Sequence, residues 1–485
     1  MNRNLLKRAG AFLLLALLLF AYLPPAFAAP DDENEFAPVS DTSDSGEEGD
    51  TAPVSGSTDD GENEPDAVLE DPKIDATAAL LVNPNTGMVL YEKNADEKRY
   101  PASTTKIMTA LLVLENAKLD DIVTAEKVDF ENVSWDASNA DIKEGEQVKV
   151  LDLLYCLMLP SANEAANMLA RHVGGSIEGF ADMMNAKAEE LGCTGTHFVN
   201  PNGLHDPNHY TTARDLYTIA HAAMQDETFA EIAKTAVKTI SKTNMHDSRK
   251  VFTTNQLIFS SYQPWFYGWC NGIKTGHTAE AGNCLVAYAD QRDSELYSVV
   301  LGCADAPDSS TVAKSFTETK RLFEWGYDNF KSKTLAKQGN SITSTKVRLS
   351  TDTDELVLTA KRDLVASVPK NLDVEDMEAT PTVPKSVDAP IKAGDVIGSM
   401  TYSYAGTVYG TVELIALHDV ELSKVLYYAD KLENFFKGSV FKILLVVLLV
   451  FVILYILFNL TFGRMRRRKQ RRMMRSRGSR YNRRR

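Results

Sequence analysis

Pro101-Ala102-Ser103-Thr104-Thr105-Lys106, running directly into Ile107-Met108-Thr109-Ala110-Leu111-Leu112-Val113-Leu114, is the stretch on which the fold and chemistry of this chain turn. Proline closes the preceding extended segment, and Ser103 stands where a helix begins, as N-cap or first-turn residue. Lys106 follows three residues later, about one turn on, so the two side chains emerge on one face. A serine hydroxyl is a weak nucleophile until a base takes its proton, and a partly desolvated lysine with a lowered pKa can take it. The free N–H groups of the helix start would polarise a developing oxyanion. By itself S-x-x-K is common in ordinary helix starts.

Two later stretches add to it. Leu159-Pro160-Ser161-Ala162-Asn163-Glu164 carries S-x-N at a break between two helical patterns, and Asn271-Gly272-Ile273-Lys274-Thr275-Gly276-His277-Thr278 carries K-T-G in a strand-like setting. Each is weak, but the ordered triple resembles the motif set of serine β-lactamases and penicillin-binding proteins.

The chain has 485 residues, a net charge of -14 and 44% hydrophobic residues, enough for two or three domains with a packed core. Residues 1–29 read as a signal peptide: Arg3, Lys7 and Arg8, an apolar run from Ala11 to Tyr22, then Ala26-Phe27-Ala28 for cleavage. An uncleaved anchor is the competing reading. Five scattered cysteines (Cys156, Cys193, Cys270, Cys284, Cys303) are odd in number and do not form a disulfide framework. Cys156, Cys284 and Cys303 lie in apolar runs and are expected as buried core thiols.

Residues 30–72 are acidic and expected to be a disordered spacer, because they hold too little apolar surface to offset ordering. The catalytic domain is expected over 73–330. It opens with a hairpin, Ala78 to Val82 and Met88 to Tyr91 around Asn83-Pro84-Asn85-Thr86-Gly87. Helical patterns follow the Ser103 helix over Leu151 to Met158, Asn163 to His172, Ile177 to Leu191 and Thr211 to Met224. Gly272 to His277, Cys284 to Ala289 and Tyr297 to Cys303 read as an antiparallel meander, and Ser315 to Phe330 as a helix. The fold class expected is therefore α/β, an antiparallel sheet joining hairpin and meander with helices on its faces. Residues 331–420 read as a small all-β domain and 421–442 as a connecting helix. Ile443 to Phe462 is apolar throughout, with Asn459 its main polar member, and would span roughly 30 Å, the hydrocarbon thickness of a bilayer. The tail 463–485 carries 13 Lys and Arg, which leaves about -27 on the rest. Directly after a span, such a tail points to a cytoplasmic side and to anionic membrane lipid; nucleic acid is the runner-up partner and is not expected.

From about Ile74 to Phe330 the chain resembles the D-alanyl-D-alanine carboxypeptidases among the low-molecular-mass penicillin-binding proteins. Phe198-Val199-Asn200-Pro201-Asn202-Gly203-Leu204, His209-Tyr210-Thr211-Thr212-Ala213-Arg214-Asp215 and Ala281-Gly282-Asn283-Cys284-Leu285 are similar to segments of that branch as well. The resemblance implies that Ser103 attacks the carbonyl between two D-alanines of a peptidoglycan stem peptide and that Lys106 takes its proton. It implies that Ser161 and Lys274 relay the proton to the leaving D-alanine, and that Asn163 hydrogen-bonds the substrate amide. Lys274 and Thr275 would face the substrate carboxylate, Gly276 belongs to the same motif, and the N–H groups of Ser103 and His277 would form the oxyanion hole. β-Lactam antibiotics would acylate the same serine. No cofactor or metal is expected: His205 and His209 are separated by Pro207, and no H-E-x-x-H occurs. Relatives often carry an arginine near the place where this chain has Ser315 beside Lys314, and they commonly end in a membrane-surface helix rather than a span with a basic tail. A serine β-lactamase and a catalytically silent wall-binding protein are the alternatives. Between Gly192 and Asp215 no loop offers the deacylating glutamate of class A lactamases, and the intact motifs count against silence.

Overall fold

The computed structural model describes residues 70–134, 136–261, 265–291, 294–304 and 314–481, with side chains described up to Lys469. The expected signal peptide and all but the end of the acidic segment lie outside the described residues.

The first hairpin and the late meander join in one five-stranded antiparallel sheet. Its order across is Met88–Lys93, Ala78–Asn83, Ser294–Cys303, Gly282–Gln291, Cys270–Thr278. Period-two alternation divides its two faces. Leu80, Val82, Val286, Val299 and Leu301 pack into the core that holds the helices Lys106–Asn116, Val150–Met158 and Asn163–Gly174. Ala79, Leu81, Leu285, Ala287 and Val300 pack instead with Phe316, Leu322 and Phe323 of the helix Lys314–Asn329. The helix Lys106–Asn116 is buried on every side from Lys106 to Val113, as its apolar run, interrupted by Thr109, leads one to expect.

Ser103 lies not in that helix but in a one-turn 3-10 segment, Ala102–Thr105, that leads into it, and no side chain caps the junction. Cys270–Thr278, the K-T-G strand, is an edge strand; its free side lies against the Ser103 turn. Residues 237–252 hold an unexpected hairpin, Val237–Ile240 with Arg249–Phe252.

The second domain is all-β. A six-stranded sheet is ordered Glu378–Thr382, Val396–Tyr404, Thr407–Ala416, Glu355–Ala360, Ser341–Arg348, Ser386–Asp388, beside the pair Phe330–Ala336 and Leu364–Pro369. Helix Lys424–Lys437 follows and ends at Gly438, so the connecting helix is shorter than 421–442. A further helix, Ser439–Tyr481, contains the apolar run and continues into the basic tail. Its Ser439–Lys469 part has a mean hydropathy of 3.2 in its most apolar window and none of that window is buried, the pattern of a membrane-crossing helix.

Candidate active site

Lys106 ends on three acceptors. Its Nζ donates to Ser103 Oγ at 2.8 Å, to Asn163 Oδ1 at 2.8 Å and to the Asn202 carbonyl at 2.7 Å. The Asn163 amide is oriented by its Nδ2, which donates to Ser138 O at 3.1 Å, so its oxygen must face the lysine. Neither that oxygen nor the Asn202 carbonyl has a proton to give. Two N–H bonds of Lys106 are therefore spoken for, and its third tetrahedral position points at Ser103 Oγ. A neutral amine places its lone pair there, in line for the serine proton. The side chain is wholly buried, and burial holds its pKa well below the ordinary lysine value; the Lys274 charge pushes the same way and Glu164 opposes it.

The loop beneath the serine was not identified from side-chain chemistry, because its contribution is a backbone oxygen. Thr109, one turn after Lys106, donates to Pro201 O at 2.6 Å, so Thr109 and Lys106 together hold the Pro201-Asn202 backbone against the helix. Gly203 adopts φ +82°, and a Cβ there would lie 1.9 Å from Ala102 O, so only glycine lets the loop come this close to the Ser103 turn. His209 completes the support. Its Nδ1 accepts from Val199 N–H at 3.1 Å, which leaves Nε2 protonated to donate to Thr105 Oγ1 at 2.8 Å. Burial lowers its pKa to about 4, so the ring is neutral near pH 7. His205 instead meets the Tyr100 ring edge-on at 4.7 Å between centroids; the two histidines do not converge.

Ser161 sits between the helices Val150–Met158 and Asn163–Gly174 with φ +65°, a conformation that costs a non-glycine residue about 1–3 kcal/mol. Its Oγ is buried and has no hydrogen-bond partner among the described residues. Ser161 and Lys274, the two groups that the resemblance assigns to proton relay, share no hydrogen bond here. Lys274 is 1% exposed, donates to Thr275 O at 3.0 Å, and burial lowers its pKa to about 7. Gly276 lies where a Cβ would meet Pro101 O at 2.9 Å and Ser103 N at 3.0 Å, so strand and serine turn touch through backbone. His277, next along and exposed, stands opposite Asn283 in the sheet register. Ser315 is buried, and Lys314 is held by Asp75 at 2.5 Å, so that pair does not supply the missing arginine. All five cysteines are unpaired and buried.

Residues 66–305 match the family model described as D-alanyl-D-alanine carboxypeptidase, and 330–422 match that of the penicillin-binding protein 5 C-terminal domain. The chain is 34% identical over 364 residues to D-alanyl-D-alanine carboxypeptidase DacC of Escherichia coli K12, covering 73% of this chain and 86% of that one. It is 27% identical over 418 residues to DacF of Bacillus subtilis, covering 86% and 95%. The crystal structure of penicillin binding protein 5 from Haemophilus influenzae superposes with a TM-score of 0.61 at 29% identity, over 73% of this chain and 100% of that one. With this site geometry, the α/β fold with its C-terminal β-domain and these likenesses, the chain belongs to the D-alanyl-D-alanine carboxypeptidase family.

Proposed function

We propose that Ser103 is the acyl-ester nucleophile, Lys106 its base, and Ser161 with Lys274 the path that returns the proton to the leaving group. The protein is a serine D-alanyl-D-alanine carboxypeptidase of cell-wall maturation, and neither a β-lactamase nor a silent binder is favoured by its relatives. The observation that carries the role assignment is the Lys106 Nζ–Ser103 Oγ contact with the other two lysine donors already committed.

In this reading neutral Lys106 takes the Ser103 proton as Oγ bonds to the carbonyl carbon joining the two terminal D-alanines of a peptidoglycan stem peptide. The N–H groups of Ser103 and His277 hold the oxyanion. Asn163 Oδ1 keeps a second lone pair for the substrate amide. Lys274 and Thr275 meet the terminal carboxylate, and Gly276 keeps that strand against the serine. The C–N bond breaks as the buried Ser161 hydroxyl gives the nitrogen its proton and regains the one that Lys106 took from Ser103; D-alanine leaves, and water cleaves the ester, giving one proton back to Ser103 Oγ. A β-lactam acylates the same serine, but its amine remains tethered.

The C-terminal apolar helix anchors the protein to a membrane. The finer arrangement belongs to the proposal: a signal peptide 1–29 removed, an acidic spacer 30–72, catalytic domain 73–330 and β-domain 331–420 outside, the span 443–462, and the tail 463–485 in the cytoplasm against anionic lipid. Protease on intact cells should spare that tail. For the chemistry, free D-alanine released from an acyl-D-Ala-D-Ala pentapeptide is the test. Release that persists in Ser103→Ala would remove the serine from its role.

A further inference from the structure

On the K-T-G side of the cleft, Thr275 has a close partner that no motif announces. Thr254 Oγ1 lies 2.5 Å from Thr275 Oγ1. Thr254 comes just after the hairpin Val237–Phe252, and its backbone is tightly held. Its N–H donates to Leu159 O at 3.1 Å, two residues before Ser161. On either side, Thr253 N–H donates to Ala236 O at 2.9 Å, and Asn255 N–H donates to Thr253 Oγ1 at 3.1 Å. Thr254 thus hangs from the Ser161 wall and touches the Lys274 wall. The residue is exposed, and with Asn139, Pro160 and Thr253 it also lines a cavity of about 680 Å³ whose lining does not include Ser103, Ser161, Lys274 or Thr275.

Two hydroxyls carry two protons, and the bond between them uses one. The other is free to be donated, and it is strengthened by the bond behind it. Their spacing is also close to that of the two oxygens of a carboxylate, the same match that makes a guanidinium fork bind carboxylates with two parallel bonds. Of the two cations that line this cavity with Thr254, Arg249 is paired with Glu146 at 2.9 Å, and Lys250 is exposed on the hairpin strand Arg249–Phe252. Lys274 supplies charge, but its pKa is depressed by burial, so neutral donors matter more here than beside an arginine.

We propose that Thr254 is a specificity-determining residue: with Thr275 it forms a two-hydroxyl clamp for the substrate's terminal carboxylate. This rests on the assignment of Lys274 and Thr275 to that carboxylate. On binding, the hydroxyl–hydroxyl bond opens and each oxygen donates to one carboxylate oxygen, an exchange of one neutral bond for two charge-assisted ones.

The test compares an acyl-D-Ala-D-Ala peptide with its C-terminal amide, using the full-length enzyme in detergent and the isosteric Thr254→Val. A hydrogen bond to a charged group corresponds to about tenfold or more in kcat/KM. Thr254→Val should lose about that factor on the free carboxylate through KM, keep activity on the amide, and retain full stoichiometric labelling by a fluorescent penicillin. Thr254→Ser should restore the carboxylate preference. Equal losses on both substrates, or no loss in Thr254→Val while Thr275→Val discriminates, would overturn the clamp and leave the K-T-G assignment standing. If neither valine variant separates carboxylate from amide, the K-T-G assignment falls and takes the clamp with it. Should Thr254→Val not label, Thr254→Ser and Thr254→Ala are compared in the same way, and identical carboxylate-to-amide ratios in these two overturn the clamp.

Discussion

Gly276→Ala places a single methyl group between the K-T-G strand and the Ser103 turn. Its φ lies outside the left-handed region, so the consequence is steric alone. The new Cβ would stand 2.9 Å from Pro101 O, 3.0 Å from Ser103 N and 3.1 Å from Thr104 N. All three are backbone atoms, so no flexible side chain can yield. Ordinary contact needs a displacement of about half an ångström, while a misplacement of about 1 Å at a reacting centre costs on the order of a hundredfold. Acylation should therefore fall about tenfold. Overpacking should cost about 1–3 kcal/mol of stability, since the Ser103 turn is held from the other side by Gly203, where no space remains. The assay is the second-order rate of labelling by a fluorescent penicillin, with thermal denaturation on the same samples. The Lys106–Ser103 contact is internal to one segment and moves with it. The loss should therefore appear in oxyanion stabilisation and survive saturation with ligand. A Gly276→Ala enzyme that labels at the parental rate with unchanged Tm would show that strand and turn are not in contact as described.

Other consequences follow from the buried ionisable groups. Lys274 titrates near 7 when folded against 10.5 in the unfolded chain. Between those values the unfolded chain holds a proton that the folded chain lacks. Stability should therefore rise with pH across that window, with the penalty fully present below about pH 7. Urea unfolding at pH 7 and pH 9.5 should show this rise, and Lys274→Met should reduce it without abolishing it, because buried Lys106 contributes with the same sign. His209→Phe leaves the Thr105 hydroxyl and the Val199 N–H without their partners in a closed site. It should cost about 2–4 kcal/mol in denaturant unfolding and slow acylation as the loop under Ser103 loosens. Ser103→Ala, Lys106→Ala and the double variant should lose D-alanine release by similar factors, because the pair acts as one unit; additive losses would mean independent roles.

The pairing of Ser103 with Lys106 was legible because residues three apart on a helical turn share a face, and it survived the replacement of the first turn by a 3-10 segment. The hairpin and meander were legible for the same reason: short apolar runs with strong turn residues between them specify strands, and both faces of the sheet are buried. Asn202 was hidden because it acts through its carbonyl, which leaves no mark on residue type. Thr254 was hidden because a threonine 21 residues before Thr275 is unremarkable until the hairpin Val237–Phe252 folds it back. In the β-domain, Glu378–Thr382 is exposed at every residue, so no alternation marked it as a strand. The terminal helix outran its expected end because arginines tolerate helix well and nothing after Phe462 stops it before Tyr481.

The most direct test of the account is the identity of the acylated residue. The full-length protein, incubated with penicillin, digested and mapped by mass spectrometry, should carry one adduct, on the peptide containing Ser103. Ser103→Ala should carry none, and Lys106→Ala should form the adduct far more slowly. An adduct on any other residue, or undiminished acylation of Ser103→Ala, would contradict the assignment of Ser103 as the nucleophile that Lys106 activates.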